Sequence, residues 1–377
     1  MPGQTSPQRI RYLRASDGVR LAWADVGSGP VLVKASNWLT HLEFDWESPV
    51  WKHWVRFFSA RFRLIRYDHR GCGMSGRSVA DLSFERMIAD LESVVEAAAP
   101  KAPVALLGLS AGAPVCAAYA ARHPERVSRL VLYGGYARGW SHRPDAGGQR
   151  EHEAMIELTR SWWGRDNPAF RQLFTSRFVP EGTREQLEWW NELCRKSTTP
   201  ETAAALLRAW GDIDVLELLR EVRVPTLIAH CREDAVVPLG AGRQLATEIP
   251  RAQFVELESR NHVLLEGEPA WRRFCDAITD FLGVAPAAPG AEDPAFEGLS
   301  SRERAILTLI TRGLGNAQIG DELGISEKTV RNHVSRIFDK LGVWTRAQAI
   351  VFARDRGFGP DADAAARRQG RGGPSEP

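Results

Sequence analysis

The stretch ALLGLSAGAPV, residues 105–115, constrains this chain more than any other. An apolar run enters it, an Ala-rich run leaves it, and Gly108-Leu109-Ser110-Ala111-Gly112 lies between. A buried strand that passes at once into a helix needs a sharp turn. Glycine on both sides of a serine removes the side chains that would block one. Such a turn lifts the Ser110 hydroxyl above the end of a sheet and presents the next N–H, that of Ala111, to an oxyanion. A serine held between glycines for packing alone would read the same way, so its partners decide.

Around this turn the chain alternates. Two strands meet at Asp17-Gly18, residues 31–33 and FRLIRY read as strands, and residues 82–99 follow a helical period. Residues 104–107 form a short buried strand, and 111–122 are helical up to His123-Pro124. RLVLYGG, PTLIAH and QFVEL supply further strands, and a last helix runs to about residue 282. Strands and helices in alternation predict a largely parallel α/β sheet. Residues 136–215 break the rhythm, being helical in pattern and carrying Trp140, Trp162, Trp163, Trp189, Trp190 and Trp210. They are expected to form a helical cap over the C-terminal edge of the sheet, where open α/β sheets bind ligands. The alternative is an added helical layer whose tryptophans only pack.

A serine hydroxyl is inert near neutral pH without a base, and the base needs an orienting acid. Asp234 lies in CREDAVVP beyond the strand PTLIAH, and His262 lies in ESRNHVLLEGEP beyond QFVEL. Glu233 is the nearby competitor for the acid, and none of the other eight histidines has such a placement.

At 377 residues the chain exceeds one ordinary domain. Its 44% apolar and 25% charged residues are those of a soluble globular protein. No run is long and apolar enough to span a membrane, and MPGQTSPQRI lacks a signal peptide's apolar core, so a cytoplasmic address and no membrane partner are expected. Five scattered cysteines without a C-x-x-C pair argue against a disulfide framework or a zinc site, and no metal or cofactor is expected. Residues 284–296, VAPAAPGAEDPAF, read as a Pro/Ala linker, and 359–377 as a disordered tail. Charge is uneven: residues 1–295 carry 36 basic against 37 acidic side chains, whereas 296–358 carry 10 against 7. The basic excess points weakly to a polyanionic partner for the small C-terminal part.

That part, residues 297–358, follows a four-helix pattern over 301–312, 316–323, a longer helix capped by Ser326 and reaching about 341, and a last helix capped by Thr345. A tight turn at Gly324-Ile325 between the second and third helices makes a helix-turn-helix. Val330, Val334, Ile337, Phe338 and Leu341 form one apolar stripe on the third helix. Its opposite face presents Lys328, Asn332, Ser335 and Asp339, flanked by Arg331 and Arg336, groups able to reach base edges and phosphates.

With the Ser110 turn, the Ser…Asp…His order and the loop DHRGCGMS at 68–75, residues 8–283 resemble the capped, esterase/lactonase-like α/β-hydrolases. The resemblance implies acyl transfer, with Ser110 as nucleophile, His262 as base and Asp234 as its orienting acid. It makes the N–H groups of Ala111 and Asn37 the oxyanion hole. A serine nucleophile points away from the aspartate-dependent dehalogenases and epoxide hydrolases, leaving ester, lactone, thioester or amide cleavage. One departure stands out: Ala35-Ser36 occupies the family's His-Gly place, with Trp38 just beyond.

Residues 297–358 resemble the LuxR-type DNA-binding domain through RERAILTLITRGLGNAQI, ISEKTVRNHVSRIFDKLGV and TRAQAI. That resemblance implies double-stranded DNA read in the major groove, with a homodimer on DNA. It makes Arg331, Asn332 and Ser335 base contacts, and Lys328, Thr329, Lys340 and Arg346 phosphate contacts. Gly315 replaces the usual capping Ser and Gly320 a helix-favouring Ala, each expected to cost under ~1 kcal/mol. The combination reads as a one-component transcription regulator whose hydrolase domain senses, and hydrolyses, a small acyl ligand. A non-catalytic sensor and a protein that is primarily an enzyme stay open beside it.

Overall fold

The computed structural model describes residues 8–143, 146–163, 165, 168–284, 296, 298–355 and 358. They fall into two compact units, one of residues 8–285 and one from residue 286 onward. The linker expected at 284–296, its two ends apart, and the tail expected at 359–377 lie outside the described residues.

Eight strands make one sheet in the larger unit. They are β1 (Arg9–Arg14), β2 (Arg20–Val26), β3 (Val31–Lys34), β4 (Arg63–Tyr67), β5 (Val104–Leu109), β6 (Val127–Tyr133), β7 (Thr226–Cys231) and β8 (Gln253–Leu257). Their order is β1-β2-β4-β3-β5-β6-β7-β8, and β2 alone runs against the rest, so the sheet is largely parallel as expected. Every residue of β5 and β7 is buried, which is why these segments read as unbroken apolar runs rather than alternating ones.

Helices α1 (Leu42–Trp46), α2 (Lys52–Ser59), α3 (Phe84–Ala98) and α4 (Gly112–Arg122) lie between strands up to β6. Residues 112–120 of α4 are all buried, and their small side chains let the sheet and neighbouring helices close around them. Four longer helices separate β6 from β7: α5 (Ala146–Trp162), α6 (Pro168–Phe178), α7 (Arg184–Ser197) and α8 (Pro200–Gly211). Thr183 and Gln186 cap the start of α7 reciprocally, and Thr199 caps α8 with Pro200 at its first position. An isolated bridge between Arg138 and Asp214 ties the two stems of this insertion. Short α9 (Leu216–Leu219), α10 (Leu239–Glu248) and α11 (Pro269–Leu282) complete the unit.

The smaller unit is all helical, with α12 (Ser301–Thr311), α13 (Asn316–Leu323), α14 (Glu327–Leu341) and α15 (Arg346–Asp355). Ile306, Ile310, Ile319, Val330 and Ile337 form its centre. Gly320 proves to be more than a weak helix former: a Cβ there would lie 2.7 Å from the Ile325 carbonyl oxygen, closer than side chains tolerate, so the turn is drawn tightly against α13. Among the described residues no helix is long and apolar enough to cross a membrane.

Candidate functional site

The chain makes its sharpest bend where β5 hands over to α4. Ser110 has φ +51°, a left-handed conformation that side chains other than glycine rarely adopt. Hydrogen bonds hold it there, from its own N–H to the Tyr133 carbonyl (2.8 Å) and from the Ala113 N–H to the Ser110 carbonyl (3.0 Å). The flanking glycines are required by space. A Cβ on Gly108 would lie 2.7 Å from Ala113 Cα, and one on Gly112 would lie 2.9 Å from the Ser36 carbonyl oxygen.

Asp234 and His262 arrive from the ends of β7 and β8. His262 Nδ1 lies 2.6 Å from Asp234 Oδ2, and Asp234 Oδ1 accepts the Val236 (2.8 Å) and Val237 (3.0 Å) N–H groups. Burial opposes ionisation of Asp234, yet His262 and the Val237 N–H outweigh it and hold the carboxyl below its ordinary range. A carboxylate at Nδ1 makes that nitrogen the donor and leaves Nε2 as the acceptor in the neutral ring. Ser110 and His262 line one small cavity together with Asn37, Trp38, Phe178 and Trp190, without a hydrogen bond between serine and imidazole. Gly134, φ +56°, runs directly beneath the ring, where a Cβ would lie 3.1 Å from His262 Cε1.

The sequence pattern carried no sign of the groups that brace these three. Glu268, just ahead of α11, accepts from Ser259 Oγ, Asn261 Nδ2 (2.9 Å) and the Leu265 N–H (2.5 Å), which clamps the loop bearing His262 at both ends. His230 is fully buried on β7, bonds Val237 O through Nε2 (2.8 Å) and lies 3.8 Å from Asp234 Oδ2. Lys34, the last residue of β3, reaches Asn37 Oδ1 at 2.6 Å. Burial brings its ammonium down to about 8, with Asp45 pulling the other way. A half-buried lysine ahead of Ala35-Ser36 thus fixes the loop that carries Asn37. Neither Asn37 nor Ala111 spends its backbone N–H on another described residue.

A second, larger cavity opens over Ser110 and Ala111. The insertion between β6 and β7 supplies Trp140, Phe178, Leu207 and Trp210 to its wall, and Trp38 faces them from the β3 side. Trp38 in turn packs against Trp163 (5.6 Å between ring centres), Phe174 (5.5 Å) and Trp210 (5.0 Å). Of the insertion's tryptophans, Trp140 and Trp210 line this space, Trp190 the smaller one, and Trp162 faces solvent.

In the smaller unit, Ser326 Oγ accepts the Thr329 N–H (3.2 Å), and Gly324 at φ +64° turns the chain into α14. Val330, Val334, Ile337 and Leu341 are buried and Phe338 half-buried, while Lys328, Thr329, Arg331, Asn332, Ser335 and Arg336 are exposed. Arg331 pairs with Glu327 one turn back (3.0 Å). Lys340 and Arg346 have partners inside the unit: Lys340 binds Glu303 (2.7 Å), and Arg346 binds Asn316 Oδ1 (3.0 Å) and the Leu314 carbonyl. Gly315 offers no side chain as a cap, but its N–H donates to Gln318 Oε1 (2.8 Å).

Comparison with known proteins agrees with both units. Residues 52–269 match the family described as serine aminopeptidase, S33, and residues 297–353 the bacterial regulatory proteins of the luxR family. A protein named putative carbamate hydrolase RutD, from Azorhizobium caulinodans, is 29% identical over 56% of this chain and 78% of its own length. The DNA-binding transcriptional activator DevR/DosR of Mycobacterium tuberculosis is 48% identical over 21% of this chain, and the match spans 36% of that regulator. An esterase from Exiguobacterium antarcticum superposes with a TM-score of 0.62 at 23% identity, over 73% of this chain and all (100%) of its own, a likeness of fold.

Proposed function

Because the chain belongs to the serine aminopeptidase S33 family of α/β-hydrolases and carries a luxR-type DNA-binding domain, we propose that it is a transcription regulator whose hydrolase domain binds and cleaves a small acyl ligand. One observation carries the reading: a strained Ser110 shares a cavity with His262, whose Nδ1 is held by Asp234 at 2.6 Å. The chemistry follows from the atoms. Ser110 Oγ adds to the acyl carbon as His262 Nε2 takes its proton, and the N–H groups of Ala111 and Asn37 receive the oxyanion. Collapse expels the leaving group with the proton from His262. Water, activated by the same nitrogen, then releases the acid from Ser110. An ester, lactone or amide fits this sequence, and the carbamate named for the relative is a further candidate.

A fluorophosphonate probe is expected to label the full-length protein, and Ser110→Ala to abolish labelling. Equal labelling of both proteins overturns the assignment of Ser110. Absence of labelling from both supports the second reading, a sensor without turnover, which Ala35-Ser36 in the His-Gly place favours.

On DNA, the exposed face of α14 enters the major groove of each half-site of a homodimer, half-sites lying about one helical turn apart. Arg331, Asn332 and Ser335 face bases, and Lys328, Thr329 and Arg336 lie toward phosphates. Lys340 and Arg346 meet the backbone from positions braced by Glu303 and Asn316. The Arg331–Glu327 pair is exposed and weak, so a guanine edge outcompetes it. Arg331→Ala is expected to cost about 1–3 kcal/mol and to relax preference at one base of each half-site. Selection from random duplexes reads this directly, and an unchanged selected site would show that α14 is not the reader.

A further inference from the structure

We infer that the cavity over Ser110 is built for an anionic ligand, whose carboxylate or phosphate is gripped by Arg143 and Arg177 while its acyl group faces the serine. The inference rests on the reading of this cavity as the ligand site, and adds the ligand's charge.

The larger cavity is lined by Ser110, Ala111 and Arg143. A neighbouring cavity is lined by Arg177. Trp140, His152, Phe178, Leu207 and Val236 line both, so the two spaces adjoin through a mostly apolar set of side chains that includes the imidazole of His152. Arg143 therefore shares a cavity with the Ser110 hydroxyl, and Arg177 lines the space next to it.

Both guanidiniums are half-buried, and among the described residues neither has a carboxylate within ion-pair distance. Arg143 makes one long bond, Nε to the Arg138 carbonyl (3.4 Å), and lies 5.7 Å over the Tyr136 ring. Arg177 makes one, Nη2 to the Ala235 carbonyl (3.4 Å). A guanidinium has five N–H donors, so most of their capacity is unspent. Other arginines of the insertion differ: Arg138 pairs with Asp214 (3.0 Å), Arg184 with Glu188 (2.7 Å) and Arg208 with Glu153 (2.9 Å). Glu151, the acid beside His152 on α5, is exposed and acts on Arg177 only through space, without an ion pair. Arg150 and Arg165 also lack an ion-pair partner among the described residues, but they are exposed to solvent, whereas Arg143 and Arg177 are half-buried against the cavities.

Burial lowers the proton affinity of both cavity arginines, opposed at Arg143 by Tyr136 and Asp234 and at Arg177 by Glu151 and Asp234, so each charge sits in a poorly solvated place. Partly desolvated cations without partners cost stability, and an entering oxyanion recovers it. The planar fork suits a carboxylate, and a phosphate shares the same chemistry. The ligand class is a short acyl compound, such as a half-ester or a lactone, with an anion at the end away from the reacting carbonyl.

The test uses full-length Ser110→Ala protein, which holds a ligand without cleaving it, and three methyl esters of one chain length. Methyl valerate is neutral, monomethyl glutarate ends in a carboxylate, and methyl 4-phosphonobutyrate ends in a phosphonate. By titration calorimetry at least one anion is expected to bind about tenfold or more tightly than methyl valerate. Arg143→Gln and Arg177→Gln are each expected to remove most of that preference, and Arg143→Lys to keep part of it with the fold intact. The tighter anion names the group. Methyl valerate binding as tightly as both anions overturns the inference, as does a preference that survives the double glutamine variant. Labelling of Ser110 in the wild type separates the two ideas. A labelled protein indifferent to anions loses only the anion site, and an anion-selective protein that never labels loses only the turnover.

Discussion

Asp234→Asn is expected to slow acylation of Ser110 by ~10³–10⁴-fold while leaving the fold in place. Two N–H donors, those of Val236 and Val237, converge on one oxygen of Asp234 at 2.8 and 3.0 Å, and the other oxygen faces His262 Nδ1 at 2.6 Å. An asparagine must put its carbonyl against the two N–H groups, which leaves its NH₂ facing the ring. His262 Nδ1 would then have to accept, the proton would move to Nε2, and the imidazole could no longer take the serine's proton. Reaction rates with the fluorophosphonate probe across pH measure the effect. A rate within tenfold of the wild type would mean that Asp234 does not set the tautomer. An acid limb of stability should vanish too. The wild-type carboxyl sits below its ordinary range, so the stability it adds is complete above the unfolded value of about 3.9 and is lost as pH falls through the lower folded value.

The second large effect lies in the loop DHRGCGMS. Arg70→Met is expected to cost the hydrolase domain about 3–5 kcal/mol near neutral pH. The Arg70 side chain is 1% exposed and grips Asp90 through Nε (2.7 Å) and Nη2 (2.6 Å), while Nη1 reaches Asp17 (2.8 Å) and the Asp81 carbonyl (2.9 Å). Methionine fills much of the volume but leaves the buried Asp90 without its counter-charge. Burial already raises the Asp90 carboxyl above its ordinary value against the pull of Arg70. Without Arg70 it rises further, and a raised carboxyl destabilises the fold increasingly as pH climbs above the unfolded value. The loss should accordingly be larger at pH 8 than at pH 5. Urea unfolding followed by tryptophan fluorescence suits the test, because all of the 13 tryptophans except Trp344 lie in residues 8–283. A loss under ~1 kcal/mol, or one independent of pH, would show that solvent reaches Asp90.

Much of this molecule was legible along the chain. The handover from β5 to α4 was readable because glycines at two fixed offsets from Ser110 are a local signature, and the structure gives each a backbone neighbour under 3 Å from its missing Cβ. The helices of the DNA-binding domain were readable for the same kind of reason. Ser300 and Ser326 cap, Gly324 and Gly342 terminate, and the apolar stripe of α14 repeats with the helical period, all within a few residues. Asp234 and His262 could be nominated as loop residues just past strands. Nothing local, however, said that their side chains meet each other, or that His262 meets the cavity of a serine far earlier in the chain.

The contacts that build the site belong to the sheet order instead. Lys34 reads as an anomaly in a buried strand, and although its bond to Asn37 is local, the desolvation it feels comes from β3 lying between β4 and β5. Glu268 looks like an ordinary acid at the N-terminal boundary of α11 until the loop after β8 folds back onto it. Lys340 resembles any basic residue on a helix that faces DNA, yet α12 brings Glu303 to it across 37 positions. Arg143 and Arg177 are two arginines among many, and only the folded insertion leaves them facing a cavity without an ion-pair partner among the described residues. Periods, caps and glycine turns act between residues at most a few positions apart, so the chain displays them directly. Which charges end up paired, buried or vacant depends on groups that the sheet brings together from distant segments, and that information exists only once the strands have taken their order.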